Sequence, residues 1–290
     1  MADPTTLLVI GLPSAGKTTF LAALWHVAET GDVSGSLSVD HLADNREHVE
    51  RIRSSWLRFE PVGRTLSNSS SRVVIPIRTS PEAPPSTLIF PDLAGEIFTN
   101  QWQFRSWSTD YDATARSASA ALVFLNPDAL VEPVTITETD AAFEAAFGPA
   151  ATDANDADVW DASSSPTQVQ LVELIQFLLH DARAPLRSLV VVISAWDLVA
   201  SAGYTPEEWL LKRTPLLWQF ATSRFGRNNF QVYGISAQGV ALEAREEVER
   251  LQQTLESASA KISVVTPDGS TSHDITLPVR WLIENSRRVC

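Results

Sequence analysis

Apolar residues recur along this chain in two rhythms. Short continuous runs rich in β-branched residues read as buried strands, and stretches with apolar positions three and four apart read as helices. The first run, Thr6-Leu7-Leu8-Val9-Ile10, predicts a strand, and Thr18-Thr19-Phe20-Leu21-Ala22-Ala23-Leu24-Trp25 opens an amphipathic helix. Thr30 to Gly35 breaks that pattern. Asp44 to Phe59 is expected to be helical, with Val49, Ile52, Trp56 and Phe59 on one face. Arg72 to Thr79 alternates Val73, Ile75 and Ile77. Thr87 to Phe90 follows after a Pro-rich turn, so the two predict a hairpin. Further strands are expected at Ala120–Leu125, Ser188–Ile193 and Phe230–Ile235. Helices are expected at Pro166–Asp181 (apolar set Val169, Val172, Leu174, Ile175, Leu178), Thr205 to about Phe225, Leu242–Ala258 and Pro278–Asn285. Lys261–Val265 and Ser272–Thr276 predict a hairpin across Pro267-Asp268-Gly269-Ser270.

Strands that alternate with helices predict an α/β fold: a doubly wound, mostly parallel sheet flanked by helices. Residues 1–290 read as one domain. Two segments stand outside the alternation. Residues 132–165 are acidic and rich in Ala, Thr, Asp and Ser, and read as an insertion, helical around Ala141 to Phe147 and otherwise mobile. Residues 261–277 add a hairpin before the last helix.

Composition narrows the chemistry. Hydrophobic residues make up 44% of the 290, enough for a full core. The net charge of −13 argues against a nucleic-acid partner and against an anionic membrane surface. The single cysteine, Cys290, excludes a disulfide within the chain and suits a reducing cytoplasm. No apolar run has the length of a membrane span, and no signal peptide is evident.

The chemistry begins directly after the first strand. Gly11-Leu12-Pro13-Ser14-Ala15-Gly16-Lys17-Thr18 has the form G-x-x-x-x-G-K-[ST], a phosphate-binding loop between a strand and a helix. Its backbone N–H groups, from Ser14 and Ala15 through Thr19, would line a polyphosphate beside Pro13 in the same loop, aided by the positive end of the helix dipole. Lys17 is expected to reach the β- and γ-phosphates and the Thr18 hydroxyl to sit on Mg²⁺. Asp92-Leu93-Ala94-Gly95 leaves the Thr87–Phe90 strand. Asp92 can hold Mg²⁺ through water, and Gly95 can offer its N–H to a γ-phosphate where a side chain would intrude. Ser194-Ala195-Trp196-Asp197 and Ser236-Ala237-Gln238 leave the next two buried strands.

This ordered set resembles the P-loop GTPases of the Ras-like and translation-factor class, and is similar in wording to the bacterial double-GTPase families of conflict and signalling systems. The resemblance implies a GTP-binding switch that hydrolyses GTP to GDP with Mg²⁺. It implies that Asp197 accepts from the guanine N1–H and 2-amino groups. Ser194, Trp196, Ser236, Ala237 and Gln238 complete the base site. Ala195 stands where the family has a Lys over the base, and Trp196 is the residue that would compensate by packing nearby. Thr65 is the candidate second Mg²⁺ ligand, with Ser67, Ser69, Ser70 and Ser71 as competitors. Arg64 would stabilise transition-state charge in cis. Glu96 stands where many members carry a water-orienting Gln, which implies slow intrinsic hydrolysis because a carboxylate is repelled by the phosphates.

A protein partner is expected at the Arg64 loop and at the aromatic stretch Phe98 to Trp107, and pairing with a second GTPase is a further implication. An ATP-using ATPase or kinase, or a non-hydrolysing nucleotide scaffold, is the alternative reading.

Overall fold

The computed structural model describes residues 5–40, 45–61, 72–133 and 162–288. Its centre is a nine-stranded sheet among the described residues. The strands are β1 (Thr6–Gly11), β2 (Ser38–Val39), β3 (Val73–Arg78), β4 (Ser86–Phe90), β5 (Ala120–Leu125), β6 (Ser188–Ser194), β7 (Phe230–Ser236), β8 (Ser263–Val265) and β9 (Thr271–Ser272), in the order β2-β3-β4-β1-β5-β6-β7-β8-β9. The five strands from β4 to β7 run parallel, with Leu7 opposite both Leu88 and Ala120. Both flanks are antiparallel: β3 returns on β4 as the predicted hairpin, and β7 is followed by β8 and β9. The sheet is therefore parallel at its centre and mixed as a whole.

The central strands are buried on both faces because their alternate side chains feed two separate cores. Leu7, Val9, Leu122, Phe124, Val190 and Val192 point to one side, into a core with α1 (Lys17–Thr30), α2 (Arg46–Leu57) and the last helix. Leu8, Ile10, Val123, Leu125, Val191 and Ile193 point to the other. There they meet α3 (Glu96–Phe104), α4 (Thr109–Arg116), α5 (Thr167–His180), α6 (Pro206–Arg213) and α7 (Pro215–Phe225). After β7 come α8 (Arg245–Thr254) and α9 (Leu277–Arg288).

Several predicted bounds change, each for a local reason. The single helix expected from Thr205 to Phe225 is two, because Pro215 lacks an N–H and drives Thr214 to φ −136°, ψ 60°. Its start is a capping box between Thr205 and Glu208 with Pro206 at the first position. The charged helix expected over Leu242–Ala258 shrinks to α8, which buries none of its residues. The second strand of the last hairpin is only Thr271–Ser272, since the Asp274 carboxylate turns back to bind Thr276 N (2.9 Å) at the start of α9. Val169, assigned to the apolar face of α5, is 36% exposed. Helices α3 and α4 carry too few periodic apolar positions to be read from the sequence. Residues 134–161, the bulk of the acidic insertion including Ala141–Phe147, lie outside the described residues.

Candidate functional site

Because β4, β1, β5, β6 and β7 are parallel, their C-terminal ends share one edge of the sheet. All the motif loops leave from that edge, where a ligand of an open α/β sheet binds.

The loop after β1 is shaped by two left-handed residues, Ser14 (φ 59°) and Gly16 (φ 87°). Gly16 is also a close approach: a Cβ there would lie 2.7 Å from Ser194 Cβ, so glycine lets the phosphate loop pack on the end of β6. The Asn126 side chain, at the end of β5, donates to Ser14 O at 2.9 Å and steadies the left-handed turn. Helix α1 then begins at Lys17, with no side-chain cap and no acidic residue in its first turn. Its first N–H groups and its dipole are therefore directed at the loop without competition. Pro13 and Ser14 are exposed at the mouth, and Thr18 and Thr19 are half-buried on the first turn.

Lys17 is buried inside this ring and donates to Gly11 O (2.7 Å) and Leu12 O (2.9 Å). Burial pushes its ammonium down to about 8, and the Asp92 carboxylate pulls the other way. Asp92 itself is buried and accepts from Ala94 N and Ile97 N, both at 2.9 Å, which fastens the start of α3 beside the phosphate loop. Between them runs Gly95 (φ 88°). A Cβ on Gly95 would stand 2.7 Å from Pro13 N, 2.8 Å from Leu12 C and 2.8 Å from Lys17 Nζ. Glu96 follows, exposed, on the first turn of α3.

The other end of the edge is set by a reciprocal pair. Ser236 Oγ accepts from Asp197 N at 2.8 Å and donates to the Asp197 carboxylate, so the loops after β6 and β7 are held as one unit. Ala195 takes a left-handed turn (φ 47°) that carries Asp197 to the surface. Ser194 is tied back to Leu125 O at 3.3 Å. Ala237 O accepts from Trp56 Nε1 at 2.9 Å, and Gln238, next in the loop, is half-buried with no hydrogen-bond partner for its Nε2 among the described residues.

Two expectations are corrected here. Trp196 does not pack toward a base. It is a core side chain, 4% exposed, lying on Gly234, where any Cβ would come within 2.4 Å of the indole. Of the four aromatic side chains between Phe98 and Trp107, three turn inward. Phe98 is fully buried near Lys17 Nζ (5.7 Å to its ring), Trp102 donates to Ala162 O at 2.9 Å, and Trp107 packs edge-on against Phe177. The fourth aromatic, Phe104, stands out at 62% exposed, beside the exposed polar residues Gln103, Arg105 and Ser106. Trp56 is core, as its helical spacing predicts. Arg64, Thr65 and the serines at 67–71 lie outside the described residues. Asn126 was not read as a site residue from the sequence; an Asn at a strand's end signals a turn, and only the fold brings it to Ser14.

The donor set fits a magnesium–nucleotide site rather than a protein-only metal cage. Among the described residues no group of three or more His, Cys, Asp or Glu side chains gathers. Mg²⁺ is bound through one or two protein oxygens plus phosphates and water, and Thr18 and Asp92 flank the glycine-lined cradle. Among the described residues no helix is long and apolar enough to cross a membrane.

The family model described as Double-GTPase 1 matches residues 8–282 of the chain. Solved structures similar to it are distant. The bacterial selenocysteine-specific elongation factor EF-Sec is 15% identical with a TM-score of 0.38, over 88% of this chain and 30% of that one. Sup35 complexed with GDP is 14% identical with a TM-score of 0.35, over 83% and 39%. Era from Aquifex aeolicus bound to GDP and aluminium fluoride is 14% identical with a TM-score of 0.34, over 88% and 58%. The chain thus spans less than two thirds of the length of these proteins. No curated protein sequence matches it.

Proposed function

The chain belongs to the Double-GTPase 1 family, a GTP-binding G-domain protein, and we propose that it binds GTP in this site, hydrolyses it slowly, and acts as a nucleotide-dependent switch on a protein partner in the cytoplasm. The observation that carries this reading is the placement of two recognition elements on one sheet edge. The Gly11–Thr18 loop packs closely on the end of β6, Gly16 against Ser194, and the Asp197–Ser236 pair follows within the same strand ends.

Asp197 is an acceptor-only group held at the surface. It suits the N1–H and 2-amino donors of guanine, and adenine offers no donors there. Gly11 to Thr19 would enclose the phosphates, with Lys17 as the charge between them. Mg²⁺, when bound, would neutralise phosphate oxygens, held by Thr18 and Asp92, with Thr65 the candidate from the Arg64 loop. In hydrolysis water attacks the γ-phosphorus, the bond to the bridging oxygen breaks, and GDP leaves with that electron pair. Lys17 and the first turn of α1 offset the charge that builds on the leaving oxygens. Gly95 N–H supports the γ-phosphate. Glu96 lies at the mouth, where its charge opposes the phosphates and slows turnover, and Arg64 is the cation assigned to the transition state. The partner would meet the exposed side of α3 around Phe104 and the Arg64 loop, and a second GTPase is the partner that the family name suggests.

Titration with fluorescent GDP and ADP tests the base assignment, with Asp197→Asn expected to exchange guanine for xanthine nucleotides. Equal affinity of the wild type for GDP and ADP would refute it. Phosphate release by the wild type, Glu96→Ala and Arg64→Ala tests the chemistry. Absence of turnover above buffer would leave a nucleotide-holding scaffold.

A further inference from the structure

On the far side of the base loop lies a buried cation that the phosphate chemistry does not use. Lys261 is 5% exposed and forms no ion pair with any described carboxylate. Its ammonium is sandwiched between the rings of Trp56 (3.7 Å to the centroid) and Phe59 (3.9 Å), and donates to Trp56 O at 2.7 Å. Trp56 and Phe59 close the C-terminal end of α2, where free carbonyls and the negative end of the dipole favour a cation. The same tryptophan reaches the base loop, since its Nε1–H donates to Ala237 O at 2.9 Å. The backbone of Lys261 reaches it as well: a Cβ on Gly239 (φ 76°) would lie 2.3 Å from Lys261 O. Two residues on, Ser263 pairs with Ser236 in the sheet.

We propose that Lys261 is a positioning residue for base recognition: its ammonium clamps the end of α2 under the Ser236–Gly239 loop, so that Trp56 and Gly239 fix the backbone that guanine meets beside Asp197. The role rests on the guanine-nucleotide reading above. An uncharged side chain of similar length would fill the slot without the cost of burying a charge. What the ammonium adds is a directed bond to one carbonyl and attraction to two ring faces.

The clamp has a pH signature. Burial pushes the Lys261 ammonium down to about 7. The neighbouring titratable group, His26 on α1, lies 5.4 Å from the Trp56 ring and is held below its ordinary value by burial first and then by Arg53 of α2 and by Lys261, with Asp32 and Glu29 opposing. The clamp is therefore charged well below pH 7 and loses its charge as the pH rises through that value.

The test titrates full-length wild type, Lys261→Met, Lys261→Arg and Trp56→Phe with fluorescent GDP and ADP in Mg²⁺ from about pH 6 to about pH 9, with folding checked by circular dichroism. Lys261→Met is expected to weaken GDP about tenfold at the acid end, with the gap to wild type closing as the pH passes through 7. Lys17 is common to both proteins and drops out of that ratio. Lys261→Arg should stay within about threefold of wild type at the acid end and bind up to about tenfold more tightly than wild type at the alkaline end, because the guanidinium keeps its charge where the lysine loses it. Trp56→Phe keeps a ring but removes the donor to Ala237 O, and should weaken GDP about fivefold. A ratio of Lys261→Met to wild type that does not change with pH would reduce Lys261 to a packing residue and overturn the proposal. Should Lys261→Met fail to fold, unchanged GDP affinity in Trp56→Phe overturns it instead. A wild type that prefers GDP alongside unaffected variants sinks the clamp alone. A wild type without base preference sinks the guanine reading with it.

Discussion

Gly95→Ala is the perturbation whose consequence can be worked most directly from the structure. The new Cβ would stand 2.7 Å from Pro13 N and 2.8 Å from both Leu12 C and Lys17 Nζ, whereas ordinary contact begins at 3.4 Å. Two of the three atoms are backbone and cannot rotate away, so the start of α3 must retreat by about 0.7 Å or the phosphate loop must open by as much. The φ of 88° adds about 1–2 kcal/mol for any L side chain.

A retreat of that size carries a Gly95 N–H···O contact from about 2.9 Å to about 3.6 Å, beyond hydrogen-bonding range. A bond to a charged phosphate oxygen is worth about 1.5–3 kcal/mol, so a non-hydrolysable GTP analogue should bind roughly 10- to 100-fold more weakly. GDP lacks the γ-phosphate and should lose about threefold or less. Titration of both nucleotides with Mg²⁺ measures the split, and urea unfolding of the nucleotide-free protein measures the strain. Equal losses for GDP and the GTP analogue would refute Gly95 as the γ-phosphate contact. Unchanged affinity for both would refute the packing of α3 on the phosphate loop.

Two further outcomes follow from the same geometry. Ser236→Ala removes both bonds to Asp197 and should weaken GDP about tenfold while costing about 1 kcal/mol of stability, which calorimetric binding and thermal unfolding would separate. The Lys17 ammonium, near 8 when the phosphate loop holds only itself, should rise when phosphate binds. Affinity should then be independent of the Lys17 charge below pH 8, where both states are protonated. Above 8, binding must take up a proton and affinity should fall by up to about tenfold per pH unit. Titration calorimetry in buffers of different ionisation enthalpy detects that uptake, and its absence at pH 9 would argue against phosphate contact by Lys17.

The central strands and the helices that alternate with β1, β5, β6 and β7, the phosphate loop, and the acidic residues that leave β4 and β6 were legible in the sequence, because each rests on local physics. Continuous apolar runs have to be buried on both faces, and Gly11, Gly16 and Lys17 have spacing that few other uses require. The hairpin of β3 and β4 was equally local. What failed was also local in origin. The periodicity carried across Pro215 although the backbone could not, and the aromatics of Phe98 to Trp107 look alike in sequence whether they face solvent or Phe177.

The tertiary structure alone decided which distant residues meet. No pattern along the chain places Asn126 under Ser14, Ser236 against Asp197, or Gly234 beneath Trp196. Those contacts arise because parallel strands bring their ends to one edge. Lys261 is the clearest case: in the sequence it is only the first residue of the predicted Lys261–Val265 strand. The fold makes it a buried cation between two rings, because β8 adds to β7 at the point where α2 ends, and the cost of that burial is visible only once its neighbours are in place.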